Sequence, residues 1–249
     1  MDTELSHIRE NFQENVKSLN NLMNFDDLIL SFGIQALERV ERFIKRQRIQ
    51  NPSCDVTKEL NQFKQIRSNK SLKPHYQIML NQCVVLLVSY FSSAVEDIFT
   101  TALTFTLKNR ESKILSKEDL KLTIADLQAV KFNLSDNIGE LFASKKDISF
   151  QDMKNIARAF KSYLGFEPPK NKDVNNIILA QACRHAIVHS GAVAKDRTIK
   201  QVSLATPREV KENLLIDQRI MFTTDEIITI CSSMTNYLDN LIKGMCKNR

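Results

Sequence analysis

Glycine and proline are scarce in this chain, five of each in 249 residues, so it has little punctuation for the many tight turns of a β sandwich or barrel. The expected fold class is all-α. Cysteine is equally uninformative as a framework: Cys54, Cys83, Cys183, Cys231 and Cys246 are odd in number, widely spaced, and include no Cys-x-x-Cys pair of the kind zinc sites use. The N-terminal residues Met1 to His7 lack the basic start and apolar stretch of a signal peptide. Together these absences point to a reduced cytoplasmic protein without a disulfide scaffold. No internal repeat is evident.

A hydrophobic share of 43% is enough for a real core in one large domain or two small ones. One uncharged run, Tyr76 to Val95, has roughly the length that crosses a bilayer. Gln77, Asn81, Gln82, Ser89, Ser92 and Ser93 interrupt it, and Glu96 and Asp97 follow at once, which fits the buried helix of a bundle better than a lipid-facing span. No membrane partner is expected. The net charge of +6 and a pI near 9.0 allow binding to a phosphate backbone without requiring it.

Helical periodicity runs through most of the chain. Leu5, Ile8, Phe12, Leu19 and Leu22 follow a heptad with Asn15 at the missing position. A second helix is expected from Phe25 past Ile44 to Asn51-Pro52, and a third through Val56, Leu60 and Phe63. Pro74 suits the first position of a long helix reaching about Asn109. Ser116 to Asp119 and Ser135 read as further helix starts. Met153, Ile156, Ala157, Phe160 and Leu164 form one apolar face, closed by Gly165, with Lys154, Arg158 and Lys161 as a basic stripe on the same helix. Asp173 reads as the cap of a helix ending near Gly191, and Thr223 to Glu226 as a capping box for the last helix. Between them, Ile199, Val202 and Leu204 suggest a short extended piece.

The chemistry-bearing residues gather at the end of the helix before Gly191. Arg184-His185-Ala186-Ile187-Val188-His189-Ser190-Gly191 holds two of the four histidines beside an arginine. A guanidinium holds a phosphate through a fixed fork of donors, and an imidazole moves a proton near neutral pH. On an α-helix the five-residue step from Arg184 to His189 advances about 7.5 Å and turns by roughly 140°, so the two do not share a face. His185 and His189, four apart, do share one, which leaves a two-histidine metal site as a local alternative; the glutamate of His-Glu-x-x-His and an obvious third ligand are missing. A third reading is structural, with Arg184 and His189 placed to favour the negative end of the helix dipole.

The arginine, the polar His185 after it, and a histidine after three more residues resemble the signature of the HEPN superfamily, possibly its RiboL-PSP-like branch. The resemblance covers about Lys73 to Ile242, including the helix with Tyr90 to Phe99 and the last helix. It implies an HEPN-like bundle over residues 73–249 preceded by a helical extension over 1–72. It also implies a homodimeric, metal-independent endoribonuclease of microbial defence or toxin systems that needs no cofactor. RNA is then the substrate, with Arg184, His185 and His189 as catalytic residues and an antitoxin or sensor protein as a further partner. Some members are controlled by modification of a tyrosine two residues after the motif histidine; this chain has Gly191 there.

Glu96 is a candidate to orient Arg184 through a bidentate contact, and Lys154, Arg158 and Lys161 to contact RNA. Each of these also has an ordinary reading as a solvated surface charge, as do Arg39, Arg42, Lys45, Arg46 and Arg48. Cys183 reads as a packed thiol, because no base is specified for it. Two other function classes stay open: an inactive HEPN-like module that binds RNA, a nucleotide or a protein, and a metal-dependent hydrolase.

Overall fold

α4 (Gln77–Lys108) is strongly apolar, and the rest of the fold packs along its buried side, which runs from Cys83, Leu87 and Phe91 to Phe99 and Leu103. The computed structural model describes residues 1–48, 55–69, 77–109 and 114–247. Ten α-helices and one short 3-10 turn, Leu115–Lys117, account for the regular structure of the described residues. Their only β pairing is an isolated bridge between Val193 and Arg219. The chain is all-α. Although α4 is long and apolar enough to cross a membrane, helices from both halves of the chain pack along it.

Before it come α1 (Asp2–Met23), α2 (Phe25–Gln47) and α3 (Val56–Asn69). After it come α5 (Ile124–Ala129), α6 (Leu134–Lys145), α7 (Met153–Leu164), α8 (Lys172–His189), α9 (Asp196–Val202) and α10 (Thr224–Lys247). Leu5, Phe12 and Leu19, seven residues apart, place α1 against α4 and α10 and belong to the same apolar cluster as the rest of the bundle. The fork of Arg9 on Asp239 adds a surface tie between α1 and α10, at 2.6 Å from Nε. By contrast α2 and α3 pack chiefly on one another. The expected boundary between residues 72 and 73, with Pro74, lies outside the described residues, as do Asn51, Pro52 and Cys54.

Several caps differ from expectation, for local reasons. Ser116 sits in the 3-10 turn, and the next helix, α5, is started by a Thr123–Asp126 capping box. Asn133 caps α6 in place of Ser135, and Asn171 caps α8 in place of Asp173, accepting from the Val174 amide at 3.1 Å. In each case the side chain three residues before a free amide takes it. The Thr223–Glu226 capping box of α10 forms as expected, as do the left-handed turns at Gly165 and Gly191.

The segment between Ala192 and Phe222 is helical where an extended piece is expected. Ile199 and Val202 are three apart, which serves the inner face of α9 as well as a strand. The irregular remainder is organised by buried polar groups. Asn81 of α4 donates to the Ile220 carbonyl and accepts from the Phe222 amide, at 2.9 and 3.2 Å. Arg208, 8% exposed, donates to the carbonyls of Val202, Ala205, Lys211 and Glu212.

α4 and α6 approach so closely at Gly139 that an added Cβ would lie 2.1 Å from the Thr100 carbonyl oxygen. The Gly139 amide also donates to Thr104 Oγ1 at 3.1 Å. Gly139→Ala is therefore expected to cost about 1–3 kcal/mol despite alanine's better helix propensity. A thermal melt should show the midpoint falling by several degrees, and an unchanged or raised midpoint would refute the close approach.

Candidate active site

α8 is the element that carries the Arg/His cluster, and its small buried residues let it sit deep against α4 and α10. Ala180, Ala182, Cys183 and Ala186 line that inner side. Burial pushes the Cys183 thiol up to about 12, so it is a packed group and not a thiolate. The last turn is closed by backbone: the Ser190 and Ala192 amides both reach the Ala186 carbonyl, at 2.9 and 3.1 Å. Among the described residues neither Arg184 nor His189 donates a hydrogen bond to the Ala186 carbonyl, which the two backbone amides already fill.

Arg184 and His185 open into a cleft of about 940 Å³ between α4, the start of α7, α8 and α9. α4 contributes Ser89, Ser92, Ser93 and Glu96; α7 contributes Met153 and Lys154; α9 contributes Arg197, Lys200 and Gln201. The junction is held by Gln181, which accepts from the Met153 amide at 3.0 Å. Asp152 caps α7 through the Asn155 amide at 2.8 Å, leaving the positive end of that helix at the cleft wall.

His189, the last residue of α8 and one turn beyond His185, is exposed and does not line the cleft. Its ring lies against that of His185, with centroids 4.7 Å apart, so His185 stands between the cleft and the terminal histidine. The His185 imidazole is held below its ordinary value, first by desolvation and then by positive charge on Arg197, His189 and Arg184. Its folded form binds a proton less readily than the unfolded chain. The group is therefore neutral in both states above the ordinary value of 6.5, and it removes stability as pH falls below that value. An NMR titration of the ring protons should give a midpoint below 6.5 that rises when Arg197 is changed to alanine; a midpoint at or above 6.5 in the wild type contradicts this environment.

Glu96 shares the cleft with Arg184, but among the described residues no hydrogen bond or ion pair joins them. Desolvation raises its carboxyl, with repulsion from Asp97 and Glu140 adding to it. The basic stripe of α7 divides. Lys154 lines the cleft, Arg158 lines a smaller neighbouring cavity and bonds to Asn155, and Lys161 pairs with Glu167 at 3.3 Å.

Arg197 and Lys200 are the cleft cations that the sequence reading passed over. Their three-residue spacing on a short helix was the available signal, hidden by the extended reading of that segment. Among the described residues Lys154, Arg184, Arg197 and Lys200 make no ion pair, and these cations outnumber the cleft's two carboxylates, Glu96 and Asp152, so its charge is net positive. No group of three histidine, cysteine, aspartate or glutamate residues gathers there or elsewhere among the described residues in a form that could hold a metal ion. Compared with family models, curated proteins and solved structures, the chain gives no match.

Proposed function

We propose that this protein is an endoribonuclease of the HEPN type, cutting RNA without a metal ion. The observation that carries the reading is the joint opening of Arg184 and His185 into a cleft whose other cations lack carboxylate partners. Such a cleft attracts a polyanion and holds a phosphodiester beside a proton-transfer group. In the reaction, the ribose 2′-oxygen attacks phosphorus while its proton passes to an imidazole. The 5′-oxygen leaves with a proton from a second acid, yielding a 2′,3′-cyclic phosphate and a 5′-hydroxyl. Arg184 neutralises the charge that builds on the phosphoryl oxygens.

His189 lies outside the cleft of a single chain, so its part requires a second copy that brings another Arg184 and His189 to a shared opening. His185, in contact with both the cleft and His189, links the two positions. This reading needs RNA and a homodimer, no cofactor, and a cytoplasmic setting in which an antitoxin or sensor protein restrains the enzyme in microbial defence. The placement of His189 also favours a second reading, an HEPN-like module that binds RNA or a nucleotide without cutting it.

Incubation of the purified protein with a mixed RNA pool in EDTA, with mapping of the product ends, separates the two. Chelator-resistant cutting that leaves cyclic phosphate ends is expected. Binding without cutting transfers the conclusion to the module, and cutting lost in EDTA would reject the metal-independent mechanism.

A further inference from the structure

The outward face of α2 is apolar, bordered by arginine and free of acids. On the sheltered side Leu30 and Ile34 are buried, and Gly33 closes on the Phe63 ring of α3. At about 100° per residue, Phe25, Leu28, Ile29, Phe32, Val40 and Phe43 fall within about 120° on the other side and run about 27 Å along the axis. Each is 45–61% exposed. Arg39, Arg42 and Arg46, also exposed, occupy about 60° along one edge of that stripe. The four acids of the helix, Asp26, Asp27, Glu38 and Glu41, fall in a separate arc of about 120° centred on Leu30 and Ile34.

Charge and shape identify what covers this face. Two of the acids are engaged away from it, Glu38 with Lys64 at 2.8 Å and Glu41 with Lys45 at 3.0 Å, while Arg39 and Arg46 make no ion pair among the described residues. The partner must therefore supply negative charge beside an apolar phase. A nucleic acid meets the first need only, because Leu28, Ile29 and Val40 give nothing for a base to stack on. The stripe is the convex side of a helix, and neither cavity described above includes a residue of α2. A deformable surface accommodates a convex stripe without a matching groove. A basic amphipathic helix lying in the headgroup plane of an anionic bilayer satisfies all of this: the stripe enters the acyl boundary while the long arginine side chains reach up to phosphate.

We propose that the outward face of α2 docks on an anionic lipid surface, with Phe25, Phe32 and Phe43 in the headgroup boundary and Arg39, Arg42 and Arg46 on lipid phosphates. The expectation of no membrane partner weighs a spanning helix only, and a helix lying on the surface needs no long uncharged run. The docking holds whether or not the cleft cleaves RNA. In co-sedimentation the full chain should bind vesicles of about three parts phosphatidylcholine to one part phosphatidylglycerol, less so as salt rises, and leave pure phosphatidylcholine vesicles largely free. Phe32→Ser with Phe43→Ser should weaken that binding by about tenfold or more, and Arg39→Gln with Arg46→Gln should reduce it toward the phosphatidylcholine level. Phe132→Ser, at a ring 66% exposed elsewhere, should change nothing, and all three variants should keep the wild-type circular dichroism. Because the chain has no tryptophan, Phe32→Trp supplies a single reporter whose emission should shift to the blue on anionic vesicles. No vesicle binding, equal binding to both vesicle types, binding indifferent to the α2 substitutions, or an unmoved emission maximum would each overturn the proposal. Loss of RNA binding on the phenylalanine substitutions, without vesicle binding by the wild type, would assign the face to nucleic acid instead.

Discussion

Arg184→Ala is expected to lower RNA cleavage in EDTA by about 10²–10³-fold while leaving stability within about 0.5 kcal/mol. Arg184 is half-buried at the cleft wall and, among the described residues, makes no ion pair or hydrogen bond that folding depends on. Its loss removes a donor from the position where charge builds on phosphorus. Arg184→Lys keeps the charge without the fork and should recover only part of the rate. His189→Ala should cause a loss of about 10²–10⁴-fold, as for removal of a proton-transfer group. Single-turnover rates on the RNA pool, with a urea melt of each variant, decide the matter. The competing structural reading makes the reverse prediction, an unchanged rate and a weaker helix. Wild-type cutting by both variants would remove these residues from the mechanism.

The second large effect concerns stability. Phe99, fully buried on α4, packs its ring against Phe150, Phe160 and Tyr163, with centroids 5.3, 5.4 and 6.4 Å away. This cluster joins the central helix to α7 and to the loop that forms one wall of the cleft. Phe99→Ala should cost about 3–5 kcal/mol in a denaturant melt, from lost transfer energy plus the cavity left among rigid rings. The thermal midpoint should fall by on the order of 10 °C for a chain of this length. Phe132→Ala, at a ring 66% exposed, should change stability by less than about 0.5 kcal/mol. Equal effects at the two positions would refute this account of the core.

Much of the helix layout was legible because its signals are local. The seven-residue spacing of Leu5, Phe12 and Leu19, the Thr223–Glu226 capping box and Gly165 each act within a few residues of chain. Cap identity was less legible where several polar residues stood together, as in Asn171-Lys172-Asp173. Either side chain can take an amide there, and the backbone angles of the entering loop choose Asn171. α9 was misread because Ile199, Val202 and Leu204 satisfy helical and extended spacing about equally over so short a span.

The sequence by itself determined the all-α class and a long apolar helix near its middle, since composition and polarity need no partner elements. Only the tertiary structure decided which charges meet. It joined Arg184 and His185 to Lys154, Arg197 and Lys200 across three helices, sent Arg158 and Lys161 elsewhere, and left Glu96 without a direct bond to Arg184. It also left one face of α2 uncovered. Periodicity marks a side chain as inward or outward on its own helix. Which neighbour it then faces depends on how helices distant in sequence pack, and no local pattern encodes that.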